Sequence, residues 1–251
     1  MERIKCIVAY DGNGFAGYQA QPKERTVQGV IEQVLERMHC QPIRVHASGR
    51  TDATVHAVGQ VLHFDTTVEM TADRWKYALN AQLPEDIWIV SVEKADSSFH
   101  ARYDAVKKEY RYKVWNSKEK NIFGRHYHYH YPYAVSVEAM REAASYLVGT
   151  HDFTAFCSAK SDKEDKVRTI YEINILQKNE EIIFEFVGNG FLYNMVRIMM
   201  GTLLDVGQGR QKPVEVLGIL EKKDRSLARK TAPGHGLYLW EVTYPSHRKD
   251  N

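Results

Sequence analysis

The sequence has 251 residues, which is enough for one large domain or two of ordinary size. Its composition, with 43% hydrophobic residues, 26% charged residues and only 7 prolines, is that of a folded globular protein and excludes a disordered or fibrous chain. No apolar run approaches the roughly 18 residues needed to cross a bilayer, and the first residues show no secretory signal. The net charge of +2 neither requires nor excludes a nucleic-acid partner.

The cysteines are odd in number and far apart in the sequence, at Cys6, Cys40 and Cys157. This spacing favours a reduced chain over a disulfide framework. We therefore predict a cytoplasmic protein in which all three cysteines are small core residues.

The first part of the chain alternates between predicted strands and helices. Apolar residues recur every three or four positions after Thr26, which predicts a helix capped by that threonine. Pro84 ends a second predicted helix, over residues 71–83. The predicted strands are residues 4–10, 44–47, 60–66 and 87–92.

The second part repeats this alternation without a detectable sequence repeat. Strands are predicted at residues 109–115, 125–131, 169–177, 182–187 and 236–244. Helices are predicted at residues 136–148, 192–206 and 213–222. The pattern favours two α+β halves with a seam near residues 95–108.

The most basic segment runs from Phe99 to Lys113, where cations alternate with aromatic rings. The cations are Arg102, Lys107, Lys108, Arg111 and Lys113, and the rings are Phe99, Tyr103, Tyr110 and Tyr112. Cations beside stacking rings suit an RNA surface. A solvated strand edge whose rings pack inward fits the same pattern equally well.

Three histidines, His126, His128 and His130, alternate with tyrosines and suggest a metal site at first sight. On a strand, neighbouring members of the set would stand about 6.6 Å apart and the outer pair about 13 Å. These separations are too large for one ion, so we predict no metal and place the ring edges toward solvent or RNA.

Arg197 lies in a predicted helix whose neighbouring positions are apolar. Its guanidinium either extends to water, which the helix pattern favours, or pairs with a carboxylate. Asp52, in the loop sequence SGRTD, is a candidate partner. Taken alone, however, an aspartate in such a loop is more often a turn former than a nucleophile.

Short sequence blocks spread over nearly the whole chain carry a family resemblance. They are YDGNGFAGYQ (10–19), TVQG (26–29), SGRTD (48–52), VHA (55–57), LPEDI (83–87), FHAR (99–102), KEYRY (108–112), GTHDF (149–153), NMVR (194–197) and APGHGL (232–237). In this order and spacing they are highly specific. The chain resembles the bacterial tRNA pseudouridine synthases of the type called A.

The resemblance implies an enzyme that isomerises uridine to pseudouridine in the anticodon arm of tRNA, most often at positions 38–40, without a cofactor or metal. Asp52 matches the catalytic nucleophile, whose attack on C6 of the base or on C1′ of the ribose stays open. Arg197 matches its basic partner, and Tyr110 matches the ring that stacks on the target base. Arg50 matches the residue that fills the space of the flipped nucleotide, and Leu237 lines the pocket. Phosphates would be held by Arg102, Lys107, Lys108 and Arg111.

The implied fold is the α+β pseudouridine synthase fold, with two halves whose mainly antiparallel sheets flank a central RNA-binding cleft. The first half, residues 1–101, would carry the catalytic aspartate loop, and the second, residues 102–251, would complete the site. The resemblance also implies a homodimer in which both subunits hold one tRNA. A tRNA-binding or tRNA-folding protein with little catalysis, and a synthase acting on another RNA site, are the alternatives.

Two positions depart from the resembled family. Thr54 stands where the family usually has glycine, and Tyr18 stands where it has tryptophan. If residue 54 needs a positive φ, threonine there costs about 1–2 kcal/mol and displaces the loop that carries Asp52. These departures suggest a diverged second copy of the enzyme with a changed speed or target.

Overall fold

The computed structural model describes residues 1–161 and 163–245, and in these ranges it contains ten β-strands and five α-helices. The strands are β1 (Glu2–Tyr10), β2 (His46–Ala47), β3 (His56–Thr66), β4 (Ile87–Ala95), β5 (Lys107–Trp115), β6 (Tyr129–His130), β7 (Gly149–Asp152), β8 (Val167–Lys178), β9 (Glu181–Gly188) and β10 (Leu237–Thr243). The helices are α1 (Val27–His39), α2 (Ala72–Asn80), α3 (Val137–Ser145), α4 (Met195–Gly207) and α5 (Glu215–Lys222).

The chain divides into two compact units. Among the described residues, unit 1 contains residues 1–106 and 238–245, and unit 2 contains Lys107–Leu237. The sequence-based boundary at 101/102 lies five residues earlier than this division, and it assigns the last strand to the second half instead of to unit 1.

Unit 1 is built on a sheet in the order β4-β1-β3-β10, with β2 paired to β3. Strand β1 runs antiparallel to both β3 and β4, with Ile7 opposite Val61 on one side and Ser91 on the other. Strand β10 is parallel to β3. The alternating burial of β1 places Ile4, Cys6 and Val8 in the core, as the period of a half-buried strand requires.

Helices α1 and α2 contribute further residues to the apolar core of unit 1. The Thr26 side chain accepts a hydrogen bond from the Gly29 amide, so the predicted N-cap of α1 is confirmed. Trp75 of α2 is fully buried and meets Phe64 edge to face at 5.4 Å. Side chains of this size each contribute about 1.5–3 kcal/mol when buried.

Unit 2 contains the antiparallel strands β5, β9, β8 and β7 in that order, with the short β6 paired parallel to β5. Buried and half-buried residues alternate along the whole of strand β9, and Phe184 and Phe186 lie in the core. Most residues of α4 are buried, whereas Arg197 is only half-buried. The prediction of an α+β fold with mainly antiparallel sheets is thus confirmed.

Two predictions about local structure are wrong. Only Tyr129–His130 of the predicted strand 125–131 pairs with a neighbour, because residues 122–127 form turns closed by the Tyr127 amide on the Gly124 carbonyl. The ring of His128 packs tightly against Gly124, so the three alternating histidines do not share a strand face. Cys40 is exposed at the left-handed C-cap of α1, whereas Cys6 and Cys157 are buried as expected.

Candidate active site

The loop between β2 and β3 carries Asp52 and is anchored where it begins. The Ser48 amide donates to the Val61 carbonyl at 2.8 Å, and the Ser48 hydroxyl donates to Gln60 Oε1 at 2.7 Å. The Gln60 amide nitrogen donates in turn to the Gly49 carbonyl at 3.0 Å. Ser48 and Gln60 are fully buried, so these bonds satisfy groups that would otherwise be costly to desolvate.

The next part of the loop is held by Tyr10, the last residue of β1, and by Tyr18 in the segment that follows β1. The Tyr10 hydroxyl lies 2.8 Å from Thr51 Oγ1, and the Tyr18 amide donates to the Thr51 carbonyl at 3.0 Å. Burial raises the pKa of Tyr10 to about 12, which keeps its phenol protonated. Asp52, directly after Thr51, is half-buried.

A tight turn follows Asp52, and its third residue has a left-handed backbone. The Val55 amide donates to the Asp52 carbonyl at 3.2 Å, and Thr54 has φ 65°. Turns with a positive φ at this position normally carry glycine or asparagine there. The condition considered in the sequence analysis, a positive φ at residue 54, is therefore met.

Two glycines let the segment after β1 lie directly against this loop. A Cβ on Gly12 would stand 2.1 Å from the Val55 carbonyl oxygen, and one on Gly17 would stand 3.0 Å from the Thr51 carbonyl oxygen. Gly17 also has φ 106°, which L side chains rarely adopt. Backbone therefore packs on backbone on both sides of Asp52.

His56 fixes the far end of the loop. It is buried, its Nδ1 accepts a hydrogen bond from the Gly12 amide at 3.1 Å, and its ring stacks on Tyr238 at 4.7 Å. Because Nδ1 is an acceptor here, the neutral ring carries its proton on Nε2. Asp11 Oδ1 lies 3.2 Å from the same nitrogen.

The other predicted residues of unit 1 lie at its surface. Arg50 is exposed two residues before Asp52. Arg102 is exposed, with its guanidinium carbon 5.9 Å from the centre of the Tyr103 ring, and that ring is itself 75% exposed. An exposed ring beside a cation is available to a nucleobase.

In unit 2, Arg197 is fixed by groups on two segments. Its Nε donates to the Ala232 carbonyl at 2.8 Å, and its Nη1 donates to Asn194 Oδ1 at 2.9 Å. Asn194 precedes α4 with φ 62°. The sequence did not indicate this carbonyl and this side-chain amide as hydrogen-bond partners of the guanidinium.

Tyr110 lies on β5 of unit 2 and is buried, with its ring edge to face against Phe191 at 5.0 Å. Lys107 and Lys108, at the start of the strand, are half-buried. Arg111 is 2.7 Å from a Glu109 oxygen and 3.2 Å from a Glu185 oxygen, so two carboxylates already compensate its charge.

Tyr112, two residues further along β5, holds the segment that ends at Leu237. Its hydroxyl donates to the Pro233 carbonyl at 2.8 Å, and a Cβ on Gly236 would stand 2.8 Å from its ring. Burial raises the pKa of Tyr112 well above its usual range, although the charge of Arg197 opposes that shift. Leu237 is buried. Tyr112 and Phe99 are also buried, so these two rings of the basic segment pack inward, as the alternative to an RNA surface predicts.

Four residues that support the Asp52 loop were not predicted from the sequence: Tyr10, Gly12, Gly17 and His56. All lie in the sequence blocks of the resemblance, but neither periodicity nor charge marks them. Within the described residues, no group of three or more His, Cys, Asp or Glu side chains could hold a metal ion. Nor does this part of the chain contain a helix long and apolar enough to span a membrane.

The sequence of this chain matches known proteins over most of its length. A sequence model described as tRNA pseudouridine synthase matches residues 6–104 and 143–245, which include Asp52, Arg197 and Leu237 but not Tyr110. The chain is 61% identical over 245 residues to tRNA pseudouridine synthase A of Anoxybacillus flavithermus, covering 97% of this chain and 99% of the relative. It is 59% identical over the same length, with the same coverage, to tRNA pseudouridine synthase A 1 of Bacillus cereus strain ATCC 14579.

A third relative, tRNA pseudouridine synthase A of Geobacillus kaustophilus, is 56% identical over 244 residues, which cover 97% of this chain and 95% of the relative. The α+β fold, the aspartate loop and these matches define an RNA-modifying isomerase. The chain belongs to the tRNA pseudouridine synthase family, and its sequence is similar to the members named A.

Proposed function

We propose that this protein isomerises uridine to pseudouridine in the anticodon arm of tRNA, at positions 38–40. The observation that carries the proposal is the Asp52 loop, which lies inside the segment matched by the family model and is fixed by buried groups on both sides of the carboxylate. A turn-forming aspartate does not need such support. A nucleophile does, because a misplaced attacking atom loses the advantage of orientation.

In the proposed reaction the bond between N1 of the base and C1′ of the ribose breaks, the base turns, and C5 bonds to C1′. The proton on C5 leaves to solvent and N1, released from the ribose, takes up a proton, so the atoms balance without a cofactor. Asp52 is the nucleophile, at C6 or at C1′, and must be ionised to act, and the bond that it forms breaks again before the product leaves. We assign to Arg197 the role of favouring that charged form, as an adjacent cation does.

The target uridine must leave its stack before a carboxylate can reach it, which costs a few kcal/mol. We propose that Arg50 fills the vacated space, that Tyr110 stacks on the flipped base and that Leu237 lines its pocket. The exposure of Arg50 and the burial of Tyr110 and Leu237 fit these roles.

The phosphates would be held by Arg102, Lys107, Lys108 and Arg111. Arg102 is the most available of these, since it is exposed, whereas Arg111 must exchange part of its pairing with Glu109 and Glu185 for a phosphate. The proposal includes a cytoplasmic homodimer that holds one tRNA between its subunits. Analytical ultracentrifugation with and without tRNA tests the dimer.

Unmodified tRNA carrying tritium at C5 of uridine tests the reaction itself. We expect the purified protein to release tritium to water, and we expect sequencing to place the product at positions 38–40. The Asp52→Asn variant should release none. Asp73→Asn is the matched control, because Asp73 is an exposed residue in the first turn of α2.

Full activity of Asp52→Asn would exclude this residue as the nucleophile. Tight tRNA binding without tritium release by the unaltered protein would instead support a tRNA-binding or tRNA-folding role. Release from uridines outside the anticodon arm would keep the chemistry and change the target.

A further inference from the structure

A short segment of unit 2 lies along helix α4 and meets the Arg197 side chain. The Arg229 amide approaches Thr202 Oγ1 at 3.4 Å, and the Ala232 amide donates to the Arg197 carbonyl at 2.9 Å. The Nε of Arg197 donates back to the Ala232 carbonyl at 2.8 Å. Both ends of the segment 229–232 therefore contact α4, and the Ala232 carbonyl accepts a hydrogen bond from the Arg197 guanidinium.

Gly201 lies on α4 beneath the middle of this segment. A Cβ at this position would stand 1.8 Å from the carbonyl oxygen of Lys230 and 3.0 Å from its carbonyl carbon. The obstacle is backbone, which cannot rotate away as the end of a flexible side chain can. The segment can therefore lie this close to α4 only because residue 201 has no side chain.

Arg225 holds the same segment through other groups. Its Nη1 donates to the Ala228 carbonyl at 2.9 Å and to the Arg229 carbonyl at 3.2 Å, and its Nη2 donates to Thr231 Oγ1 at 3.2 Å. The rigid fork of a guanidinium suits such multiple contacts, which the single charge of a lysine would not reproduce. Arg225 thus fixes hydrogen-bond acceptors of the segment on both sides of Lys230.

We propose that Gly201 and Arg225 are positioning residues for Arg197. Gly201 lets the segment reach α4, Arg225 holds the segment in that place, and the Ala232 carbonyl then fixes the Nε of Arg197. The catalytic part of this inference rests on the role of Arg197 under the proposed function. Its structural part, the hydrogen bond between Arg197 and Ala232, does not.

A Gly201→Ala variant tests the proposal directly. The methyl group must displace the Lys230 carbonyl by about 1 Å, because real Cβ atoms essentially never lie within 3.0 Å of such an atom. A misplacement of that size costs on the order of 100-fold in rate when it reaches a reacting group. We expect kcat for tritium release to fall by about 10- to 100-fold, with KM changed by less than about 3-fold.

Gly218→Ala is the matched control, since it makes the same exchange within helix α5. A Cβ there meets no heavy atom of the described residues within 4 Å. The second measurement is the NMR signal of the Arg197 Nε–H group in the ¹⁵N-labelled full chain, assigned by its disappearance in Arg197→Lys. We expect Gly201→Ala to shift or broaden this signal and Gly218→Ala to leave both the signal and kcat unchanged.

Arg225→Gln is the second variant. It tests whether the segment positions Arg197 if thermal unfolding shows that Gly201→Ala does not fold. We expect about a tenfold loss of kcat with KM near the unaltered value, together with a changed Arg197 signal. A rise in KM with the signal unchanged would show that Arg225 contacts RNA and would overturn its positioning role.

The NMR measurement also separates this inference from the proposed function. If the unaltered protein releases no tritium from any tRNA, the proposed function fails while the Arg197 signal still reports on its position. An Arg197 signal identical to that of the unaltered protein in every folded variant would overturn the inference whatever the activity.

Discussion

The Tyr10 hydroxyl lies 2.8 Å from the hydroxyl of Thr51, the residue directly before Asp52, and both residues are buried. Removing the phenolic oxygen in Tyr10→Phe leaves the Thr51 hydroxyl without this partner. We expect a loss of about 1–3 kcal/mol in the free energy of unfolding, the usual cost of a buried polar group left unpaired. Urea denaturation measures it, and a variant as stable as the unaltered protein would show that the bond contributes nothing.

Tyr18 differs from Tyr10 in the hydrogen bonding of its hydroxyl group. Its hydroxyl is buried and has no hydrogen-bond partner among the described residues, and burial raises its pKa well above the usual range. Tyr18→Phe removes an unsatisfied group, so we expect the free energy of unfolding to rise by up to about 1 kcal/mol. Tyr10→Phe is its matched control. Destabilisation by both variants would indicate that the Tyr18 hydroxyl is stabilising after all.

Thr54 has φ 65° in the turn that follows Asp52. The strain costs about 1–2 kcal/mol, and the greater freedom of glycine in the unfolded chain offsets about 0.5–1 kcal/mol of what Thr54→Gly relieves. We therefore expect this variant to be more stable by up to about 1.5 kcal/mol in urea denaturation. We also expect faster tritium release, because the relief occurs beside the proposed nucleophile.

Lys23→Gly is the control for Thr54→Gly, because Lys23 is exposed and also has φ 65°. It should gain stability for the same backbone reason without a change in turnover. If Thr54→Gly is neither more stable nor faster, strain at residue 54 does not limit the enzyme.

Elements with a strong period could be predicted from the sequence, whereas irregular segments could not. Helix α1 follows its apolar repeat and the Thr26 cap, since both signals are local. The alternation in residues 125–131 predicted a strand, but a turn at Gly124 and the packing of the His128 ring there override it. A period of two describes side-chain directions on a strand and does not by itself provide a partner strand.

The candidate site could be predicted from the sequence only at the residues to which the family resemblance assigned a role. The contacts of Gly12 with Val55 and of Gly201 with Lys230 join backbones about 30–45 positions apart in sequence, and no local pattern records such an approach. The positive φ of Thr54 was foreseeable only because the resembled family has glycine there. Such sites depart from local rules, which is why propensity does not find them.

We expect His63 to make the free energy of unfolding depend on pH. Burial lowers its pKa to about 4, and the nearby charges of Arg3, His100 and His46 act in the same direction. In the unfolded chain a histidine titrates near 6.5, so the unfolded state binds more protons between these values. The contribution of His63 to the free energy of unfolding is therefore complete above pH 6.5 and is lost as the pH falls toward 4.

Replacing His63 by glutamine should flatten this dependence. The new side chain can still accept from the Ala101 amide, which now donates to His63 Nδ1 at 3.2 Å. Some slope will persist, because burial also lowers the pKa of His100. Urea denaturation at several pH values between 7 and 4 measures both proteins, and equal slopes would show that His63 does not carry the effect.

Arg197 should matter more for turnover than for tRNA binding. The Arg197→Met variant keeps the apolar stem but removes the groups that donate to Ala232 and Asn194, as well as the charge assigned to ionising Asp52. We expect kcat to fall by at least about 100-fold, as when one preorganised donor is lost from an active site, while the dissociation constant for tRNA changes by less than about 3-fold. Arg197→Lys keeps the charge without the fork, and it should restore part of kcat. Equal losses in kcat and in binding, with no difference between Met and Lys, would instead make Arg197 a phosphate contact.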